Sequence, residues 1–314
     1  MAEDAEFKEQ ITERIPHIKV DRNTEEEVEL FYEFTDPIKL MPFRQAVFHT
    51  YPELKKLVDG LSRKEEKPVI EQFVENYLQV HQAEFDQIMA EQQSLLDERG
   101  QGALAELAKL MDYHWLNNAN DYRAVPTILP VSPFGENVFF PSILALRDHW
   151  GLEDFLSIGV HEISHMILFD LLKNDYPDLY LVRHSSPAIN TLKEALAPVV
   201  MNQSPLKDYI NFSNYPNGYV GNPNLALIFV REAQEKPTQI TQYLQDLYER
   251  MHQDKKKFPE IMKAMFDKML PLEDEFDKKQ DLWNKYGRFD GSGEICLADE
   301  EAEKEYCQPI KLPE

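Results

Sequence analysis

The strongest constraint in this sequence is an apolar segment that carries two histidines and a glutamate in one short motif. His161, Glu162 and His165 form the pattern H-E-x-x-H. Positions i and i+4 of a helix share one face, so both imidazoles are expected to point the same way. Apolar residues recur at helical spacing around the motif, which predicts a buried helix that crosses a core. They are Leu152, Phe155, Leu156, Gly159, Val160, Ile163, Ile167, Leu168 and Leu171.

Histidines at this spacing favour a single metal ion. Two neutral imidazole nitrogens on one helix face can bind one zinc, and Glu162 can then act as general base on a zinc-bound water. Burying two histidines and a glutamate without a metal or other partners is costly. The alternative interpretation is a core helix in which the histidines are satisfied and the glutamate is salt-bridged.

A catalytic zinc site needs a third protein ligand and keeps one position open for water. The best candidate is Glu194, in a predicted helix that Ser185 or Ser186 caps and that has Pro187 in its first turn. Glu194 lies near the edge of an apolar stripe, and a carboxylate there needs a partner. A solvated helix glutamate is the alternative, and His184 is the next candidate ligand. The stripe consists of Ala188, Ile189, Leu192, Ala195, Leu196 and Val199.

With His161, Glu162, His165 and a downstream helical Glu194, the chain resembles the gluzincins, the thermolysin-like branch of zinc metallopeptidases. The resemblance covers about residues 125–200, roughly a quarter of the chain. It implies one zinc ion per chain, held by the two histidines and the second-helix glutamate. The third histidine of the metzincins does not follow the motif.

The chain departs from thermolysin itself four residues after Glu194. Pro198 stands where that branch carries a helical aspartate that supports a zinc-binding histidine. Such support is normally required, because it fixes the orientation of the imidazole ring. Asp154 and Asp170 are therefore the candidates for this role.

The expected fold is α+β and predominantly helical, with flanking helices around a zincin-like catalytic core that has a small sheet or hairpin before the active-site helix. Residues 125–131 and 136–140 are rich in β-formers and enclose a Pro/Gly turn, which predicts a hairpin. The resemblance implies that the second strand faces the substrate at Asn137, Val138 and Phe139, since extended peptides bind by strand addition. An ordinary packed hairpin is the alternative.

The resemblance implies a zinc metallopeptidase, either a metalloendopeptidase or another peptidase, with Glu162 as general base and a peptide or protein as substrate. A side-chain donor is expected to stabilise the oxyanion, and the candidates are Tyr219 and His184, then Tyr215 and Arg231. Two other classes stay open. One is a catalytically inactive zincin-fold protein that binds a peptide in its groove, and the other is a helical interaction protein whose motif is accidental.

Composition and organisation limit the partners. We expect a mostly helical N-terminal region (1–120), a catalytic core (121–235) and a C-terminal helical region with a loop-like tail (236–314). The net charge of −23 argues against nucleic acid and anionic membranes as partners, and no apolar run predicts a membrane span. The polar, acidic N-terminus predicts no signal peptide and a cytoplasmic location. A periplasmic or secreted location is the alternative, if a leader was removed and Cys296–Cys307 is a disulfide.

Overall fold

The computed structural model describes residues 14–37, 41–115, 119–145, 155–210, 219, 221–222, 225, 227–232, 236–289, 295–297 and 299–312. Within these ranges the protein is mostly helical and contains small sheets. The prediction of a predominantly helical α+β protein is therefore confirmed at this level.

Helices supply most of the described structure. The first five are α1 (Thr24–Phe34), α2 (Met41–Thr50), α3 (Pro52–Val58), α4 (Arg63–Val80) and α5 (Gln82–Leu110). The middle of the chain forms α6 (Ile143–Ala145), α7 (Phe155–Asp175), α8 (Pro177–Arg183) and α9 (Pro187–Met201). The last four are α10 (Ile240–Gln253), α11 (Phe258–Met269), α12 (Glu273–Tyr286) and α13 (Glu300–Tyr306).

The strands are short and form three separate sheets within the described ranges. They are β1 (Ile18–Val20), β2 (Tyr122–Ala124), β3 (Val138–Phe139), β4 (Phe229–Arg231), β5 (Thr238–Gln239), β6 (Gly287–Phe289), β7 (Ile295–Leu297) and β8 (Ile310–Lys311). The first sheet is entirely parallel, in the order β1-β2-β3. In the second, β4 lies between antiparallel β5 and parallel β8, while β6 and β7 form an antiparallel pair.

The small sheet before the motif helix is present, but the predicted hairpin between residues 125–131 and 136–140 is wrong. The strand that pairs with β3 is β2, which ends before residue 125 and runs parallel to β3 rather than antiparallel. Residues 125–131 form no strand; in this stretch Thr127 makes one isolated bridge. Pro126 and Pro130 explain this, because proline cannot donate a hydrogen bond to a sheet ladder.

The motif helix α7 is mostly buried, as predicted. Every residue from Phe155 to His165 is buried, which is typical of a helix that crosses a core. Gly159 allows β3 to approach closely, since a Cβ atom at this position would lie 3.0 Å from Cζ of Phe139. The sheet and the motif helix are therefore packed directly against each other.

Helix α7 is also long enough and apolar enough to cross a membrane, judged by length and composition alone. No such segment is predicted from the sequence. The core helix of a soluble protein meets the same criteria. In this structure, 83% of the most apolar window of α7 is buried inside the protein. Its apolar surface is thus already covered by the rest of the chain.

Helix α9 begins as the sequence predicts. Ser186 is the N-cap and accepts a hydrogen bond from the backbone N–H of Ile189, with Pro187 at the first helical position. The predicted apolar stripe is buried, with each of its six residues no more than 1% exposed. Because this stripe packs into the core next to α7, Glu194 is carried towards the motif.

Two hydrophobic cores support this arrangement. The larger contains residues of α5, α7, α9, α10, α11 and α12, and extends from Ile18 to Leu312. The smaller lies among α1–α5 and the residues around 128–143. Among the side chains that the structure describes, Cys307 is a free thiol.

A buried carboxyl group joins α1 to the segment after β2. Glu27 is only 3% exposed, and its Oε1 accepts hydrogen bonds from the Thr127 hydroxyl and the Ile128 backbone N–H, both at 2.9 Å. Its Oε2 is buried without a partner among the described residues. Burial raises the pKa of Glu27 to about 7, although the two hydrogen bonds oppose the shift.

The stability of the protein is therefore expected to fall with rising pH because of Glu27. Its folded-state pKa lies above the unfolded value, so folding takes up a proton and this group's favourable contribution is lost between about pH 4.5 and pH 7. Glu27→Gln keeps the acceptor oxygen without the charge. The free energy of unfolding of Glu27→Gln minus that of the parent should increase by about 2 kcal/mol from about pH 5.5 to about pH 8. Urea denaturation at each pH measures both values. Exposed Glu25→Gln in the same helix is the control, and parallel curves for parent and Glu27→Gln would contradict the prediction.

Candidate metal centre

Three side chains predicted as metal ligands meet in the structure. One ligand atom each from His161, His165 and Glu194 lies within 4.8 Å of the other two. The histidines are buried, and the Glu194 side chain is 23% exposed. This cluster, called the ligand triad below, can hold a metal ion and is open to solvent on the glutamate side.

The helical spacing produces the geometry. His161 and His165 lie one turn apart on α7, with ring centroids 4.4 Å apart and planes at 73°. The Nε2 atom of each ring faces the Glu194 carboxylate, at 3.6 Å from Oε2 for His161 and 3.7 Å from Oε1 for His165. Both distances exceed a normal hydrogen bond, and they leave space between the three groups for an ion.

The surroundings of His165 provide a test of whether a metal fits. This residue is 1% exposed, and neither of its ring nitrogens has a hydrogen-bond partner among the described residues. Leaving a buried polar nitrogen unpaired costs about 1–3 kcal/mol, so native structures rarely retain such groups. A metal ion at Nε2 would satisfy one of the two nitrogens. The donor set of two imidazoles and one carboxylate therefore fits a bound metal.

At His165 and Glu194 the electrostatics favour the protonation states that bind metals. Burial and the neighbouring His161 hold the pKa of His165 well below its usual value, so its ring is neutral. Burial alone would raise the pKa of Glu194, but Lys193 and the two histidines hold it well below its usual value. Burial opposes a charge on His161 as well, yet Glu194 and Glu162 raise its pKa. The triad thus presents an ionised carboxylate beside a neutral imidazole.

Lys193 is a residue of the site that the sequence analysis did not single out. Its Nζ lies 3.0 Å from Oε1 of Glu194 and 5.3 Å from the ring centroid of Phe134, and its side chain is 17% exposed. The ring of Phe134 also packs on His165, at 5.4 Å between centroids. A lysine next to a glutamate on a helix is normally solvated, so the sequence alone carries no signal for this position.

Tyr219 contacts the triad from behind the first histidine. Its hydroxyl lies 3.0 Å from Nδ1 of His161, the ring nitrogen opposite the one that faces Glu194. The side chain of Asn202 holds the Tyr219 backbone through two hydrogen bonds, one to its N–H and one to its carbonyl oxygen, both 2.8 Å. Metal-binding histidines usually have such a partner on their second nitrogen, and Asp170, predicted for that role, instead accepts a hydrogen bond from Tyr113.

Gly221 allows the segment that carries Tyr219 to lie close to α9. Gly221 adopts a positive φ of 67°, and a Cβ atom there would lie 3.1 Å from Cδ of Pro198. The chain that carries Tyr219 can therefore lie directly on α9, on the turn that starts at Glu194. Pro198, which stands where the thermolysin-like branch has its supporting aspartate, becomes part of the surface that positions a tyrosine.

Glu162 is buried next to the triad. It is 7% exposed and forms no hydrogen bond among the described residues. Burial raises its pKa to about 7, with the charge of His161 acting in the opposite direction. A carboxyl group with such a pKa is suited to accept and return a proton near neutral pH.

The two other oxyanion candidates that the structure describes, His184 and Arg231, are not brought to the triad. His184 is exposed at the end of α8, where its Nδ1 lies 2.9 Å from the Tyr180 carbonyl oxygen. Arg231 lies in β4. No hydrogen bond, ion pair or ring contact joins either residue to the triad in the described part of the chain. Tyr215 and Asp154, the remaining candidates, lie outside the described residues.

The predicted substrate strand has little free backbone. The carbonyl oxygen of Val138 accepts a hydrogen bond from Gly135 at 2.7 Å, and Phe134 forms an antiparallel bridge with Phe139. The side chain of Phe139 is completely buried. The outer edge of β3 is thus occupied by its own preceding loop, and a substrate role for Asn137, Val138 and Phe139 stays a prediction.

No family model matches this chain, and neither a curated protein nor a solved structure shows significant similarity to it. A buried cluster that can hold a metal ion lies on two helices, with a carboxyl group of raised pKa beside it.

Loss of the Tyr219 hydroxyl is expected to weaken metal binding. Tyr219→Phe keeps the ring but removes the only described partner of His161 Nδ1, so the affinity for zinc should fall by about tenfold or more. Competition with a chelator of known affinity measures this. Tyr243→Phe removes a hydroxyl that binds Glu232 and serves as the control. An unchanged affinity in Tyr219→Phe would show that this contact does not support the ligand.

Proposed function

We propose that this chain is a zinc-dependent peptidase. His161, His165 and Glu194 bind the zinc ion, and Glu162 is the general base that activates water for attack on a peptide bond. The observation that carries the proposal is the buried His165, which faces a second histidine and a glutamate. Neither of its ring nitrogens has a hydrogen-bond partner within the described residues. Such a group is costly without a metal.

The donor set favours zinc among the common metals. Calcium and magnesium prefer oxygen ligands, whereas two imidazoles and one carboxylate suit zinc. Three protein ligands leave one position free in a tetrahedral site, as catalytic zinc requires. Bound zinc supplies Lewis acidity, which makes a water molecule more acidic and polarises a carbonyl group.

Glu162 transfers the proton in the proposed reaction. As the general base, its carboxylate would take a proton from water and release it again to the leaving amine. Its position next to His161 on α7 keeps it beside the triad without using it as a ligand. Burial between apolar residues also limits access of bulk water to the carboxyl group.

Lys193 and Tyr219 act on the triad from two sides. Lys193 balances the charge of Glu194 and adds positive charge next to the triad. Tyr219 orients the His161 ring, so its role is positioning rather than the direct oxyanion contact expected from the sequence. We further propose that α7, α9 and the small sheet form a zincin-like core.

The test of the function is Glu162→Gln. This variant should bind zinc like the parent, because Glu162 is not a ligand, but its cleavage of a fluorogenic peptide library should fall by about 10²–10⁴-fold. Exposed Glu71→Gln on α4 makes the same chemical change elsewhere and should keep full activity. Cleavage by Glu162→Gln at the parent rate would refute the general-base role. A parent that binds zinc and peptides but cleaves none would instead be the inactive peptide-binding protein.

A further inference from the structure

A large cavity lies along the C-terminal half of α7. Its volume is about 1020 Å³, at the upper end of the range of about 300–1,000 Å³ for ligand pockets. Helix α7 contributes Met166, Phe169, Asp170 and Lys173 to its wall. The opposite wall comes from residues 112–114 and 134–137, together with the start of α11.

This cavity continues the face of α7 that carries the candidate general base. Met166, Phe169 and Lys173 lie four, seven and eleven residues after Glu162, so all four residues share one helix face. Phe134 borders both sites, since it lines the cavity and packs on the His165 ring. An extended peptide whose reacting carbonyl lies at the triad can therefore place a neighbouring side chain in the cavity.

The cavity wall carries an excess of negative charge. Lys257 is paired with Asp112 at 3.3 Å, which leaves three carboxylates against one further lysine. The charged residues of the wall are Asp112, Glu136, Asp170, Asp175, Lys173 and Lys257.

Asp170 is the carboxylate best placed to bind a ligand. It lies on the α7 face of the cavity, is half-buried, and accepts one hydrogen bond, from the Tyr113 hydroxyl at 2.8 Å, among the described residues. Burial and Asp170 itself raise the pKa of Tyr113, so this hydroxyl stays protonated and keeps the carboxylate in place. The rings of Tyr113 and Phe169 also line the cavity, and aromatic faces attract cations.

We propose that this cavity is a substrate subsite that accepts a lysine or arginine side chain of the peptide, with Asp170 as its counter-charge. The inference rests on the proposed peptidase function and adds the substrate class to it. Aromatic rings hold the aliphatic stem of such a side chain, and the carboxylate pairs with its cationic end. The negative charge of the whole chain favours the approach of cationic peptides.

Cleavage of matched peptides tests the preference. The two peptides of a pair differ at one position, which holds lysine in one and its uncharged analogue norleucine in the other. The varied position is, in turn, each of the three on either side of the cleaved bond. We expect kcat/KM to be about tenfold higher with lysine at one or more positions on one side, and Asp170→Asn to remove most of this ratio. Asp281→Asn, exposed on α12, removes the same charge elsewhere and should leave the ratio unchanged.

A binding measurement separates this inference from the function on which it rests. Glu162→Gln protein loaded with zinc should bind the lysine peptide about tenfold more tightly than the norleucine peptide. The double variant with Glu162→Gln and Asp170→Asn should bind the two peptides equally. Glu136→Gln, at an exposed position of the wall, is a second variant if Asp170→Asn does not fold, and it should reduce the difference. Equal affinities for the two peptides, or a preference that neither variant changes, would overturn the subsite. Selective binding with no cleavage by the parent would retain it and refute the peptidase.

Discussion

The arrangement of the site depends on one unfavourable group, a histidine that is buried in a core helix and has no hydrogen-bond partner among the described residues. His165 lies on α7, where apolar packing excludes water from both of its ring nitrogens. Desolvation of this kind is tolerated only where something else satisfies the group. His161 and Glu194 lie around Nε2 of His165 and can supply the other ligands if a metal ion binds. The cost of burying His165 and the capacity of the cluster to hold a metal therefore have the same structural origin.

The neighbouring elements hold this cluster in place. Helix α9 buries its apolar stripe and so carries Glu194 towards α7. At its end, Asn202 holds the backbone of Tyr219, whose hydroxyl meets the second nitrogen of His161. Lys193 supplies a cation next to Glu194, which balances the carboxylate within the protein itself. The small parallel sheet closes the opposite side, where β3 packs on α7 at Gly159.

Local patterns made part of this site predictable. Three features are local to a single helix, so the sequence reveals them. They are the helical period around His161 and His165, the Ser186 cap and the apolar stripe near Glu194. The parallel pairing of β2 with β3 was missed, because strand partners depend on distant parts of the chain and prolines interrupted the apparent hairpin. The contact of Tyr219 with His161 spans 58 residues, and no periodicity encodes it. The position of Lys193 depends on how α9 packs.

The most direct test of the metal centre is the anomalous scattering of crystals grown from zinc-loaded protein, recorded on both sides of the zinc absorption edge. The account predicts one peak per chain, at about 2.0–2.2 Å from Nε2 of His161, Nε2 of His165 and a carboxylate oxygen of Glu194. It also predicts that the hydrogen bond from His161 Nδ1 to Tyr219 persists. A chain with no peak, or with a peak away from these three residues, would contradict the account and leave the motif as part of a core helix.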